Sequence, residues 1–298
     1  MKAMVVGGTG FVGRYLVERL NEPVVVGRSA AKIKTLFDGV EGRVWDPGRK
    51  VDPSLFSGVD TVFHLAGDSI FRGRWNYAKK ERIRTSRVDA TRRLVNGMAG
   101  CTEPPKTLIC ASAVGFYGSR GAEKLNEDAS PGNDFLACIC KEWEHEALEA
   151  AKFGVRVVCV RLGVVLGRDG GALAKMVPPF KLGLGGRMGS GRQYMSWIHI
   201  DDLVGIMLHA AEDETVRGAV NGVAPQAVTN SEFTRALGHA LHRPAFLPVP
   251  GAVLRIVLGE FSTVLLSSQR VVPEKISLAG YCFSFPEINV ALQDLLGN

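Results

Sequence analysis

An apolar run from Ala3 to Val6 delivers this chain directly into Gly7, Thr9, Gly10, Phe11, Val12 and Gly13, and few architectures accept that junction. Gly7, Gly10 and Gly13 have the spacing G-x-x-G-x-x-G. Each glycine answers a separate demand: a tight turn off a strand, close backbone approach to a diphosphate, and close packing of the next helix on the strand. The pattern predicts a helix from Phe11 to Leu20, whose unpaired first-turn N–H groups and positive dipole end face a pyrophosphate. Gly7, Thr9, Gly10, Phe11, Val12 and Gly13 are therefore the expected phosphate-side contacts of a dinucleotide.

The next strand, Pro23 to Val26, ends at Gly27, Arg28 and Ser29. A fold that selects NAD places a carboxylate here for the ribose 2′-OH, whereas an arginine pairs with a 2′-phosphate. Gly27 and Arg28, with no Asp or Glu between 26 and 29, point to NADP. Arg43 to Trp45 reads as a third strand, and Asp46 after it either meets the adenine amino group or caps a turn before Pro47. Asp60 to Leu65 is a fourth, buried strand. The small Ala66 and Gly67 that follow Leu65 let a cofactor cross the strand ends, and His64 reads as a hydrogen-bonded core residue.

Strands from Lys106 to Ala111 and from Val155 to Val160, with a helix from Phe135 to Phe153 between them, continue the alternation. A parallel, doubly wound α/β sheet follows for residues 1–167. Trp75 to Met98 has helical character and seven basic residues. Their scatter around the helix, without an aromatic platform, argues for a solvated or subunit-facing helix and against nucleic acid. Beyond Gly167 the chain becomes glycine-rich, and Pro178 and Pro179 are expected to break any helix. Asp201 is the expected cap of one later helix, and Asn230 or Ser231 of another reaching His242.

A chain of 298 residues with 46% hydrophobic content buries a large core. The net charge of +6 suits a phosphate-rich ligand. Six cysteines show no metal-ligand spacing and several lie in apolar runs, as in a reducing compartment. No signal-like segment opens the chain and no apolar run nears the ~20 residues of a membrane span, so the expectation is a cytoplasmic protein without membrane partners.

The pieces GGTGFVG, HLAG, ASAVGFYG, RLGVVLG and WIHIDDL, in that order, resemble the extended short-chain dehydrogenase/reductases, the group that includes nucleotide-sugar epimerases. LGLGGRMGSGRQYMSWIHIDDL and ALGHALHRPAFLPVPGAVLRIVLGE resemble an atypical "epimerase family" subgroup with its own C-terminal domain of unknown function. The resemblance implies a Rossmann domain over residues 1–167, rejoined by about 197–225, and a smaller C-terminal α/β substrate domain within 168–298. It also implies NADP as cofactor, a small-molecule substrate and, as in other members, a homodimer paired through helices flanking the sheet.

Family chemistry uses a Tyr-x-x-x-Lys pair and a serine from the fifth strand. Lys141 and Ser112 match two of these, but the tyrosine position, four residues before Lys141, is Ala137. Tyr117, after Ser112 at the strand end, is the substitute to consider. Asp68, Arg72, Arg161 and Val164 are assigned to the cofactor side. Met195 stands where nucleotide-sugar members often carry an arginine, with Arg187 and Arg192 nearby. The expectation is an NADP-dependent oxidoreductase acting on a small carbonyl or alcohol. The alternatives are a catalytically silent NADP(H) sensor or scaffold and, behind both, a nucleotide-sugar epimerase.

Overall fold

A computed structural model describes residues 1–71 and 73–297. Strand β1 (Ala3–Val6) leads into α1 (Phe11–Arg19), β2 (Val24–Gly27) into α2 (Ala30–Leu36), and β3 (Glu41–Val44) follows. After β4 (Thr61–His64) come α3 (Tyr77–Thr85) and α4 (Val88–Ala99), then β5 (Thr107–Ala113), the short β6 (Lys124–Leu125), α5 (Phe135–Leu148) and β7 (Arg156–Leu162). The later elements are β8 (Val164–Gly167), β9 (Gly170–Gly171), α6 (Leu173–Lys181), β10 (Tyr194–Met195), β11 (Trp197–His199), α7 (Ile200–Glu212), β12 (Gly218–Gly222) and β13 (Val228–Thr229). The chain closes with α8 (Asn230–Ala240), α9 (Gly251–Leu258), α10 (Ser262–Leu266), β14 (Arg270–Val271), α11 (Glu274–Leu278) and α12 (Ile288–Leu296).

Seven strands form one parallel sheet in the order β12-β7-β5-β4-β1-β2-β3. A parallel sheet needs cover on both faces, and the strands supply it by alternation. Met4 and Val6 turn to a core shared with Leu94, Met98, Ile139 and Trp143, whereas Ala3 and Val5 turn to one shared with Leu16, Leu203 and Met207. Strand order reverses between β1 and β4, so the loops after these two strands diverge and leave a crevice.

Three local expectations change for identifiable reasons. The basic stretch is two helices, broken at Ser86 and Arg87: Ser86 Oγ accepts from the Asp68 N–H at 3.0 Å, and Arg87 donates to the Asp68 and Ile83 carbonyls. Helix α6 runs through Pro178 and Pro179, which are exposed, while Leu173 and Phe180 are buried and hold the turn. The carbonyls that lose a partner to the prolines belong to Ala174 and Lys175, both exposed to water. Capping also differs. His199 Nδ1 accepts the Asp201 N–H at the start of α7, and Thr229 with Glu232 forms a capping box on α8. Asp201 pairs instead with Arg19 at 2.9 Å, and Asn230 accepts from the Met188 N–H at 2.7 Å.

Two of the places where the C-terminal region is fastened lie at its opposite ends. The buried Asp202 carboxylate accepts the N–H groups of Ser284 (2.8 Å) and Phe285 (2.9 Å) and the Tyr281 hydroxyl (3.2 Å). At the other end Phe261 meets Phe71 and Trp75 edge-on or tilted, Arg74 donates to the Ile256 carbonyl, and Lys80 pairs with Glu260.

Candidate functional site

At the crevice, Gly7 leaves β1 with φ +87° and lies against the strip that follows β4: a Cβ on it would come within 2.8 Å of the Ala66 nitrogen and 2.9 Å of the Leu65 carbonyl carbon. Gly13 packs under the turn, where a Cβ would stand 2.5 Å from the Gly7 oxygen. Gly10 caps α1 and offers no side chain to its first turn. The N–H groups of Phe11, Val12 and Gly13 thus remain for an anion lying over the loop. The Phe11 ring itself turns away, onto Gly167, Gly170 and Gly171, so its contribution to the loop is its backbone.

Gly27 is partly exposed at the end of β2, and Arg28 beside it is exposed with no side-chain partner among the described residues. Asp46 accepts from the Gly48 N–H at 2.9 Å, the turn-capping role. Leu65 and Ala66 are partly exposed and Gly67 exposed along the crevice, and Val164 is partly exposed at the start of β8. The Asp68 carboxylate takes the buried Lys79 ammonium through Oδ2 at 2.7 Å. Arg72 lies outside the described residues.

Of the three residues expected to carry proton transfer, Ser112 and Tyr117 enter one buried network and Lys141 stays outside it. Ser112 is buried and donates its hydroxyl to Glu144 Oε1 at 2.6 Å. Tyr117 is wholly buried; its hydroxyl donates to Asn221 Oδ1 at 2.7 Å and accepts from Arg161 at 2.9 Å. Burial pushes that hydroxyl above the usual tyrosine range against the pull of Arg161. Lys141 is exposed on α5. The helix face that meets the end of β5 is one residue out of step with the sequence match: a Cβ on Gly115 would touch Leu136 Cβ at 3.4 Å and Cys140 Sγ at 3.9 Å. Leu136, Cys140 and Glu144, spaced by four, form that face. Burial, aided by the Glu144 charge, pushes the Cys140 thiol up to about 12.

Arg161 is engaged within the core. It holds Glu144 through two bonds of 2.8 Å, lies 3.5 Å over the Phe116 ring, and donates to the Glu127 carbonyl at 3.1 Å. Burial works against its charge, but the bonds and charge of Glu144 prevail and hold the guanidinium above its ordinary value. Ser112, Glu144, Arg161, Tyr117 and Asn221 are one buried network joining β5, α5, β7 and β12, and Asn221 Nδ2 extends it to the Val272 carbonyl at 2.9 Å. Sequence reading missed Glu144 and Asn221 as members. The available signal was Glu144 standing four residues after Cys140 and eight after Leu136, on one helical stripe.

Among known proteins, the sequence profile of the NAD dependent epimerase/dehydratase family matches residues 3–221, and a domain of unknown function, DUF1731, matches residues 249–295. The chain belongs to the NAD dependent epimerase/dehydratase family. Within that family it is 41% identical over 301 residues to the mouse (Mus musculus) epimerase family protein SDR39U1, covering 99% of this chain and all of the relative. The crystal structure of the human SDR39U1 protein with NADPH superposes with a TM-score of 0.89 at 37% identity, over the full length of both chains. A UDP-glucuronic acid 4-epimerase from Bacillus cereus shares the fold alone, with a TM-score of 0.80 at 18% identity and 99% of each chain covered.

The family implies a nicotinamide dinucleotide, and the crevice fits one. The side-chain-free cradle of Gly7, Gly10 and Gly13 suits a diphosphate, and the uncompensated Arg28 stands at the end of β2 where a ribose 2′-substituent is read. Among the described residues no helix is long and apolar enough to cross a membrane, and no three His, Cys, Asp or Glu side chains gather as metal ligands.

Proposed function

We propose that this family member binds NADP(H) across the β1–β4 crevice and works through the nucleotide it holds, as a nucleotide-state sensor or scaffold rather than through tyrosine- and lysine-assisted turnover. One observation carries the reading: Ser112 is tied to Glu144, Tyr117 is sealed against Asn221 and Arg161, and Lys141 faces outward. Among the described residues this leaves none of the three as an evident proton-transfer group, although the glycines of the phosphate loop are all in place. The NADPH in the human relative supports the cofactor, and Arg28 supports the phosphorylated form. Nucleotide binding rests on residues 1–167 with 197–225, leaving the rest of 168–298 to cover the crevice. Six free thiols, three of them buried, support a reducing compartment such as the cytoplasm.

A second reading, an NADP-dependent oxidoreductase for a small carbonyl or alcohol, is favoured by the Phe71, Trp75 and Phe261 wall where the C-terminal region meets the loop after β4. That wall would suit a small apolar substrate, with water supplying the proton. Nucleotide-sugar epimerisation has less support, because Met195 is paired in β10 and packed beside the C-terminal core. Calorimetric titration with NADPH and NADP⁺, followed by NADPH oxidation over a broad carbonyl panel, tests the readings. Tight binding without turnover supports the first, and one efficient substrate replaces it with the second.

A further inference from the structure

The break between α3 and α4 has a result that the basic composition of this stretch concealed. It swings Arg87 back under the strip after β4. There its guanidinium lies directly beneath Gly67: a Cβ on that glycine would be 3.3 Å from Cζ and 3.4 Å from Nη2. Gly67 is exposed and is the second residue after Leu65, which touches the Gly7 turn. Arg87 therefore lies under the strip whose Leu65 and Ala66 border the Gly7 turn.

Among the described residues no carboxylate pairs with it directly. Nη1 donates to the Asp68 carbonyl at 3.0 Å and the Ile83 carbonyl at 3.3 Å, both neutral acceptors. Nε and Nη2 have no acceptor among the described residues, and no carboxylate oxygen comes within ion-pair distance. The one nearby carboxylate, Asp68, is held by Lys79 at 2.7 Å. The cation stacks on Trp143 at 5.3 Å, and burial lowers its affinity for its own proton. A half-buried guanidinium without a paired anion is only partly solvated, and its spare N–H edge is suited to two oxygens of a phosphate. The glycine above it is the one residue that leaves that edge uncovered.

We propose that Arg87 is a second cation of the nucleotide site, binding the diphosphate–ribose segment of NADP(H) from the β4 side, opposite the N-terminus of α1. The inference rests on the NADP(H) reading above. It makes Arg87, and not the solvated arginines of the same helices, the functional member of the basic stretch.

The test compares wild type, Arg87→Met and Arg87→Lys in direct titrations with NADPH, 2′-phospho-ADP-ribose and 2′-AMP, alongside thermal melting. Expected for Arg87→Met is a loss of about tenfold or more for NADPH and for 2′-phospho-ADP-ribose, the scale of a hydrogen bond to a charged group. 2′-AMP, which lacks the diphosphate, should bind within about twofold of wild type, and Arg87→Lys should recover part of the loss because it keeps the charge without the fork. Loss for NADPH alone would move the contact to the nicotinamide and overturn the assignment. Equal loss of all three ligands with a lower melting temperature would make Arg87 structural only, and unchanged NADPH binding would also overturn it. If the wild type binds none of the three, the NADP(H) reading itself fails, and this inference with it.

Discussion

The Ser112 hydroxyl lies 2.6 Å from Glu144 Oε1, inside the space between β5 and α5. A residue expected at the nicotinamide is thereby a member of a buried charged network, with the Glu144–Arg161 pair at its centre. Removing one partner of such a pair strands a charge where water cannot reach it, which costs more than the pair contributes when intact. Glu144→Gln is expected to lower unfolding free energy by ~3–5 kcal/mol in urea titrations. Ser112→Ala, which leaves the pair in place, should cost only ~1.5–3 kcal/mol. NADPH affinity of folded Ser112→Ala and Lys141→Ala should match wild type; a tenfold loss in either would return these residues to the cofactor site.

Among the described residues Arg28 has no partner to lose, so its replacement isolates the interaction with a ligand. Arg28→Ala should weaken NADP binding by ~1.5–3 kcal/mol, the range for charge-assisted hydrogen bonds, and leave NAD affinity nearly unchanged. Parallel titrations with the two nucleotides read the difference, and equal weakening would show that another group recognises the 2′-phosphate.

Gly13 has no space for a methyl group, with the Gly7 oxygen at 2.5 Å and Gly8 Cα at 2.7 Å from the position of a Cβ. Backbone cannot give way as a side-chain end can. Gly13→Ala is expected to cost ~1–3 kcal/mol of stability by overpacking and to weaken NADPH by deforming the loop. Melting curves with and without NADPH check both parts: the variant should melt lower and gain less from the nucleotide.

His64 is fully buried with Nε2 on the Thr91 hydroxyl at 2.9 Å, and burial lowers its pKa to about 4. In the unfolded chain it takes a proton near 6.5, so between about 6.5 and 4 the unfolded state binds more protons than the native one. Stability should therefore be fully present above that window and fall as pH drops through it, by ~3 kcal/mol from this residue. His199, also buried, is shifted in the same direction. Denaturant titrations from pH 7 to pH 4 should show a shallower loss in His64→Gln than in wild type; parallel curves would remove His64 as a source of the slope.

The sequence by itself determined the layered α/β architecture, the glycine cradle and the position of Arg28, because these depend on local properties. Apolar strands, missing side chains and turn geometry act within a few residues of where they are written. It also determined that no tyrosine stands four residues before Lys141, although the structure moves the helix face that meets β5 from Ala137 and Lys141 to Leu136 and Cys140. Tertiary structure alone decided what the remaining polar residues do, since that depends on which neighbours a strand or helix face meets. The one-residue offset on α5, which turns Cys140 inward and Lys141 outward, follows from how the helix is rotated against β5. So does the fate of Arg161 and Tyr117: partners 17 and 104 residues away in the chain, Glu144 and Asn221, claim them in the core. The start of the phosphate loop was legible from thirteen residues because its partner is a ligand that needs only backbone. Arg87 was hidden among seven basic residues, and only the kink after Ser86 distinguishes it from the others.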